Sequence, residues 1–319
     1  MRKTLWAVAI VLAAIAALGA VLHTPDSDPE RMIADYGDGG QYVEGAETMR
    51  VFVREQGCAT CPALVLIHGS NSNSLTWAPL IDHLKDNWRI ISYDQPGHGL
   101  TGPHPDRNYT ARGMHQALTA AMDAKSLDQA VLVGSSMGGW TSWTYAALNP
   151  ERVRGLVLIG ASGMPASPDA PERPTSFVYS LLETPGFNQI LKYVTPVSFV
   201  ENALRAMVVD DGYVTEDHVR MYWRMLRMPG NRQATLDRRE VVRDESLRED
   251  LRSFDGPVQL IWGREDPTVH VSVAAAFAEH LPQAETVIYD AVGHLPMEER
   301  PAEVAADMRR FLEGAGLDR

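Results

Sequence analysis

Short apolar runs and longer helical repeats take turns along most of the chain. "TMRVFVRE" (residues 48–55) reads as a strand, and "ALVLIHG" (63–69) as a buried strand that ends in a turn. "WRIISYD" (88–94), "QAVLVGSS" (129–136), "VRGLVLIGAS" (153–162), "PVQLIWG" (257–263) and "ETVIYD" (285–290) repeat that look. Between them, "WAPLIDHLKD" (77–86), "TARGMHQALTAAMDAK" (110–125), "WTSWTYAALNP" (140–150), "VSVAAAFAEHL" (271–281) and "PAEVAADMRRFLEGAG" (301–316) carry the apolar spacing of helices. Continuous apolar strands alternating with helices predict a mostly parallel sheet covered on both faces. Reactive groups in such sheets gather beyond the carboxyl ends of the strands.

The interval 163–250 breaks this rhythm. It is helical in pattern, rich in arginine and bulky apolar residues ("SFVYSLLETPGFNQILKYV", "HVRMYWRMLRM"), and shows no strand signal. It is read as an insertion folded over the strand ends, a cap. Met221, Met225 and Met228 fall on one helix face, either as cap core or as a soft wall of the substrate pocket. The expected organisation is a leader over 1–30, a core built from 31–162 and 251–319, and a cap over 163–250.

The leader has its own chemistry. "MRK" precedes eighteen uncharged, mostly apolar residues, Leu5 to Leu22, and "HTPDSDPE" follows. A positive start before an apolar stretch is an export signal. Its length reaches the minimum for a membrane span, and the small-residue pair before a cut, Ala17 and Gly19, is mediocre. The expectation is an inner-membrane anchor with Arg2 and Lys3 inside and the rest of the chain facing the periplasm or exterior, or a secreted protein if the leader is cleaved. A formal charge of −12 and a pI near 5.3 argue against nucleic acid as a partner. The only cysteines, in "GCATCPALVLIHG", lack the partners of a zinc site and the helix of a redox motif; in an exported domain they suit a local Cys58–Cys61 disulfide.

"VLVGSSMGGW" (131–140) puts two serines side by side. Only Ser136 fits G-x-S-x-G, with Gly134 and Gly138 two residues to either side; around Ser135 the same count gives Val133 and Met137. The pattern places a serine on a turn from strand to helix too tight for side chains at its flanks. An activated serine needs a general base, and the base needs an orienting carboxylate. Asp266 follows the strand "VQLIWG" and His294 follows "ETVIYD", so Ser136, Asp266 and His294 each lie beyond a different strand. Asp290 and Asp255 compete for the acid's role, but Asp290 ends a strand and Asp255 precedes one. Donors for a developing oxyanion are expected from the backbone N–H of Met137 and from the loop "HGSNSNS", where Ser70 is the natural donor and Asn71 the runner-up. His68 is read as a structural residue within that loop. Neither a metal site nor a cofactor motif stands out.

Taken together, the H-G-x…W loop, "DQPGHG", the G-x-S-M-G-G turn, "GREDP" and "GH" resemble the α/β-hydrolase superfamily in its capped branch, over nearly all of residues 40–315. The resemblance implies an α/β-hydrolase fold, a mostly parallel sheet flanked by helices with a helical cap inserted before the strand leading to the acid. It implies Ser136 as nucleophile, Asp266 as acid and His294 as base. A serine at the turn excludes the alkyl-enzyme chemistry of relatives that carry aspartate there. The chain is similar both to carboxylesterases and lipases and to meta-cleavage-product hydrolases, which split a carbon–carbon bond. The latter usually carry asparagine before the serine and tryptophan after the histidine, where this chain has Ser135 and Leu295. Hydrolysis of a small-molecule ester through an acyl-enzyme is therefore the expected function, with carbon–carbon hydrolysis as the alternative. A non-catalytic binding protein on the same fold is a lesser one, set against a complete triad.

Overall fold

A computed structural model of the protein describes residues 23–171, 189 and 192–319. The expected leader helix and most of "SFVYSLLETPGFNQILKYV" lie outside the described residues. Among those described, no helix is long and apolar enough to cross a membrane.

Eight strands form one sheet: β1 (Gly40–Glu44), β2 (Arg50–Gly57), β3 (Ala63–Ile67), β4 (Arg89–Tyr93), β5 (Ala130–Ser135), β6 (Val153–Ile159), β7 (Val258–Gly263) and β8 (Glu285–Tyr289), in the order β1-β2-β4-β3-β5-β6-β7-β8. β1 and β2 run antiparallel to their neighbours and the other pairings are parallel. From β3 the chain steps outward to β4, then crosses back to lay β5 on the other side of β3. The loops leaving β3 and β5 therefore diverge and open a crevice at their carboxyl ends. That crevice receives the two segments expected to carry the serine and the oxyanion donors.

The helices are α1 (Pro29–Tyr36), α2 (Ala78–Leu84), α3 (Ala111–Ala124), α4 (Met137–Leu148), α5 (Val197–Met207), α6 (Glu216–Leu226), α7 (Asn231–Arg239), α8 (Leu247–Asp250), α9 (Ser272–His280), α10 (Pro296–Glu299) and α11 (Pro301–Gly314). Strand residues divide between two cores by parity. Val65, Ile67 and Leu132 pack with Met114 and Leu118 of α3, Trp143 of α4 and Phe277 of α9. Leu64, Leu66, Val131 and Val133 pack in one cluster with Trp77, Leu80, Leu84, Met308 and Leu312. Two buried faces are why the strands read as unbroken apolar runs.

Between β6 and β7, α5 to α7 cover the core, whereas α8, within the segment expected as cap, packs on α4 with Leu247 in the cluster of Trp143. Met221, Met225 and Met228 are all buried in a third cluster with Met32, Phe52, Leu100 and Leu204. Met221 and Met225 of α6, and Met228 just past its end, thus pack against α1 and β2, and Met221 also accepts from Asn73 Nδ2 of the loop after β3 at 3.2 Å. The chain before α1 is bound to the cap as well: the Ser27 N–H donates to Arg227 O at 2.8 Å, its hydroxyl to Arg224 O at 2.8 Å, and Arg232 pairs with Asp26 at 2.6 Å. Cys58 and Cys61 form a disulfide across the β2–β3 turn, with Cα atoms 5.4 Å apart.

Candidate active site

Ser136 sits between β5 and α4 with φ 53° and ψ −115°, a left-handed conformation that non-glycine residues rarely adopt. Strain of this kind persists only where the surroundings over-determine it. Here the Ser136 N–H donates to Ile159 O at 3.0 Å, and the Ser136 carbonyl accepts from Ser162 N–H at 3.0 Å and Trp140 N–H at 3.1 Å. Two residues on, a Cβ at Gly138 would lie 1.9 Å from Ile67 O, so only glycine lets α4 approach the end of β3. Ser135 points the other way: it is fully buried and its hydroxyl has no partner among the described residues.

His294 and Asp266 lie together and buried, with Nδ1 2.7 Å from Asp266 Oδ2. The other carboxylate oxygen, Oδ1, accepts from Thr268 N–H at 2.7 Å and Val269 N–H at 2.8 Å. Three donors thus hold the carboxylate, and its partnership fixes the proton on Nδ1 and leaves Nε2 as the histidine's lone-pair nitrogen. Gly160, at the end of β6 with φ +52°, runs beneath the pair: a Cβ there would stand 3.2 Å from both Asp266 Oδ2 and His294 Nδ1. Gly160 ends β6, the strand paired with β5 that carries Ser136 and with β7 that leads to Asp266, so all three residues lie at the carboxyl edge of one half of the sheet. The rival carboxylates are elsewhere. Asp290 is exposed and paired with Arg264, and Asp255 is exposed before β7.

The oxyanion loop lies against the serine, since a Cβ at Gly69 would come within 3.2 Å of Ser136 Cβ and 3.8 Å of its Oγ. Ser70 follows directly and is exposed; Asn71 takes a left-handed φ of 56°. Met137 opens α4, so its N–H has no acceptor inside the helix. His68 has both ring nitrogens occupied: Nδ1 meets Gly69 O at 2.7 Å and Nε2 accepts from Gln95 N–H at 3.0 Å. Burial lowers its pKa from the usual histidine value, and that of the neighbouring His98 well below it. Both are neutral structural residues.

Three features had no clear signal in the chain. Gln95 donates to His68 O at 2.6 Å and accepts from Thr141 Oγ1 at 2.8 Å, tying the oxyanion loop to α4. From the cap, Thr235 and Arg238 both donate to Asn71 Oδ1 at 2.9 Å. Glu298 and Glu299, in "HLPMEER", are buried beneath the cap. Within a run of charged letters nothing marks a carboxylate as buried.

Four arginines of the segment between β6 and β7, each a possible anchor for an anionic substrate, are engaged away from this crevice. Arg205 pairs with Glu201 and Asp211, Arg220 with Glu216, and Arg224 with Asp35, while Arg227 donates to Pro25 O and stacks on Trp223. They border a cleft of about 770 Å³ between the segment before α1 and helices α5 and α6, which none of Ser136, Asp266 and His294 lines.

Residues 62–301 match the family model described as alpha/beta hydrolase fold. A monoacylglycerol lipase of Xenopus laevis is 26% identical over 269 residues, covering 79% of this chain and 75% of that protein. A 2-hydroxy-6-oxononadienedioate/2-hydroxy-6-oxononatrienedioate hydrolase of Paraburkholderia phymatum is 26% identical over 268 residues, covering 79% and 87%. Among solved structures, a meta-cleavage product hydrolase of Pseudomonas fluorescens superposes with a TM-score of 0.71 at 23% identity, covering 86% of this chain and 98% of that one. A putative aryl esterase of Burkholderia cenocepacia does so with a TM-score of 0.72 at 22% identity, over the same shares.

Proposed function

This chain belongs to the α/β-hydrolase fold family, and we propose that within it the protein is a serine esterase acting on small neutral esters. One observation supports the reading: a serine held in a left-handed turn at the end of β5, and a buried His294–Asp266 pair over Gly160 at the end of the neighbouring β6. In the reaction, Ser136 Oγ attacks the ester carbonyl while His294 Nε2 takes its proton. Asp266 orients the imidazole and balances the imidazolium that forms. The N–H groups of Met137 and Ser70 receive the oxyanion. The imidazolium then protonates the departing alcohol, leaving an acyl-enzyme. Water, deprotonated by the same histidine, attacks the acyl carbon and releases the acid and the serine.

An ester substrate is favoured over a carbon–carbon substrate by the arginines. A ring-fission product carries a carboxylate that needs a cationic anchor, and Arg205, Arg220, Arg224 and Arg227 are committed to other partners. Leu295, where the carbon–carbon hydrolases carry tryptophan, is buried among apolar neighbours. The leader supports a location at the inner membrane, facing outward, where neutral lipophilic esters partition. The test uses full-length protein in detergent, with p-nitrophenyl esters of increasing chain length and a 2-hydroxy-6-oxo-dienoate side by side. Short to medium esters are expected to exceed the dienoate at least tenfold in kcat/KM. A dienoate preferred over every ester reverses the assignment, and recovery of the protein from the cytosol rather than from membranes removes the location.

A further inference from the structure

Glu299 holds two parts of the molecule that are far apart in the chain. Its Oε1 accepts from the Gly293 N–H at 2.8 Å, directly before His294. Its Oε2 accepts from Val209 N–H at 2.9 Å and Asp210 N–H at 3.1 Å, in the chain that leaves α5 of the cap. The two backbones touch between these bonds. The His294 N–H donates to Met207 O at 2.7 Å, and a Cβ on Gly293 would lie 2.4 Å from that same oxygen. The carboxylate is buried, so its charge is balanced by these three N–H donors rather than by water.

We infer that Glu299 is a positioning residue for the base: it fastens the His294 loop to segment 207–210, so that the imidazole is aligned only while that segment of the cap is seated. The inference rests on His294 being the base of the proposed hydrolase. Its chemical signature is that glutamine cannot replace glutamate. A carboxamide has one acceptor oxygen, so its NH2 must face either the Gly293 N–H or the two cap N–H groups, donor against donor.

The experiment compares wild type, Glu299→Gln and Val209→Pro, each titrated with a fluorophosphonate to count reactive sites, then assayed on a p-nitrophenyl ester. Val209→Pro removes one cap donor from an exposed position, and Val208 before it already has the extended backbone that proline requires of its predecessor. Expected are a fall in kcat per titrated site of at least tenfold for Glu299→Gln and at least threefold for Val209→Pro, with KM within threefold of wild type. A merely structural role would lower the number of titratable sites and leave kcat per site unchanged; that result in Val209→Pro, or in Glu299→Gln where it folds, overturns the inference. Wild-type protein that takes no label at Ser136 overturns the hydrolase reading itself, and this one with it.

Discussion

Replacing Gly160 by alanine perturbs the triad without removing any of its members. The added methyl meets two costs. Gly160 has φ +52°, where an L-residue loses roughly 1–2 kcal/mol relative to glycine. Its Cβ would also stand 3.2 Å from Asp266 Oδ2 and from His294 Nδ1, the two atoms of the 2.7 Å hydrogen bond that orients the base. Relief requires those atoms to retreat by a few tenths of an ångström. If a misplacement of about 1 Å costs on the order of 100-fold, a retreat of that size lowers kcat by roughly three- to tenfold. Gly316, just past the end of α11, separates the two costs: it has φ +65° and nothing within 4 Å of the site where its Cβ would be. Gly316→Ala is expected to lose about 1–2 kcal/mol in urea unfolding, and Gly160→Ala at least as much. Only Gly160→Ala should lose kcat per titrated site on a p-nitrophenyl ester. A Gly160→Ala enzyme with wild-type kcat, or a Gly316→Ala enzyme equally slowed, would show that the buried pair does not set the rate.

The two adjacent serines separate by mutation: Ser136→Ala should abolish about 10⁴-fold of activity or more, whereas Ser135→Ala, altering a buried hydroxyl with no partner among the described residues, should retain at least a tenth. Phosphonate labelling mapped to Ser135 contradicts this. His115 of α3 predicts an acid sensitivity that is independent of catalysis. Burial lowers its pKa to about 4, and its Nε2 lies 2.9 Å from Thr144 Oγ1. Below the reference value of about 6.5 the unfolded chain takes a proton that the folded one refuses. Stability is therefore retained above that pH and lost on acidification; between pH 7 and pH 5 the loss amounts to about 2 kcal/mol. In urea titrations at the two pH values, His115→Gln should reduce the acid-induced loss by that amount, and an undiminished loss would be inconsistent with a neutral buried histidine.

The parts of the fold legible from the chain are those where burial on two faces leaves an unambiguous trace. β3, β5, β6 and β7 have apolar residues on both sides of the sheet, and their expected spans include the observed ones. β1 escaped notice because it is an edge strand: in Gly40–Glu44 only Val43 is buried, and the alternation is too short to register. α1 has an Asp28 cap, accepting from Glu30 and Arg31 N–H, and a proline at its first position. Those signals were present, but they stood beside an apolar leader that dominates the reading of the first thirty residues.

The candidate site divides along the same line. That Ser136, Asp266 and His294 lie just beyond strand ends was legible, because strand ends are what an apolar pattern marks best. What braces them was not. Gln95, Asn71, Thr235 and Glu299 act through side-chain hydrogen bonds between segments up to 167 positions apart, such as that from Arg238 to Asn71. No local pattern encodes such a pairing. The methionine stripe shows the converse, in that spacing placed Met221 and Met225 on one face of α6, whereas Met228 lies just past its end, and what that face packs against depended on α1 and β2. In this molecule the proposed reacting groups belong to the strand ends of the sheet, whose rules are periodic. Their alignment belongs to the contacts between cap and core, made one pair at a time. A relative with the same triad and a different segment at 207–210 would therefore be expected to differ in rate before it differed in chemistry.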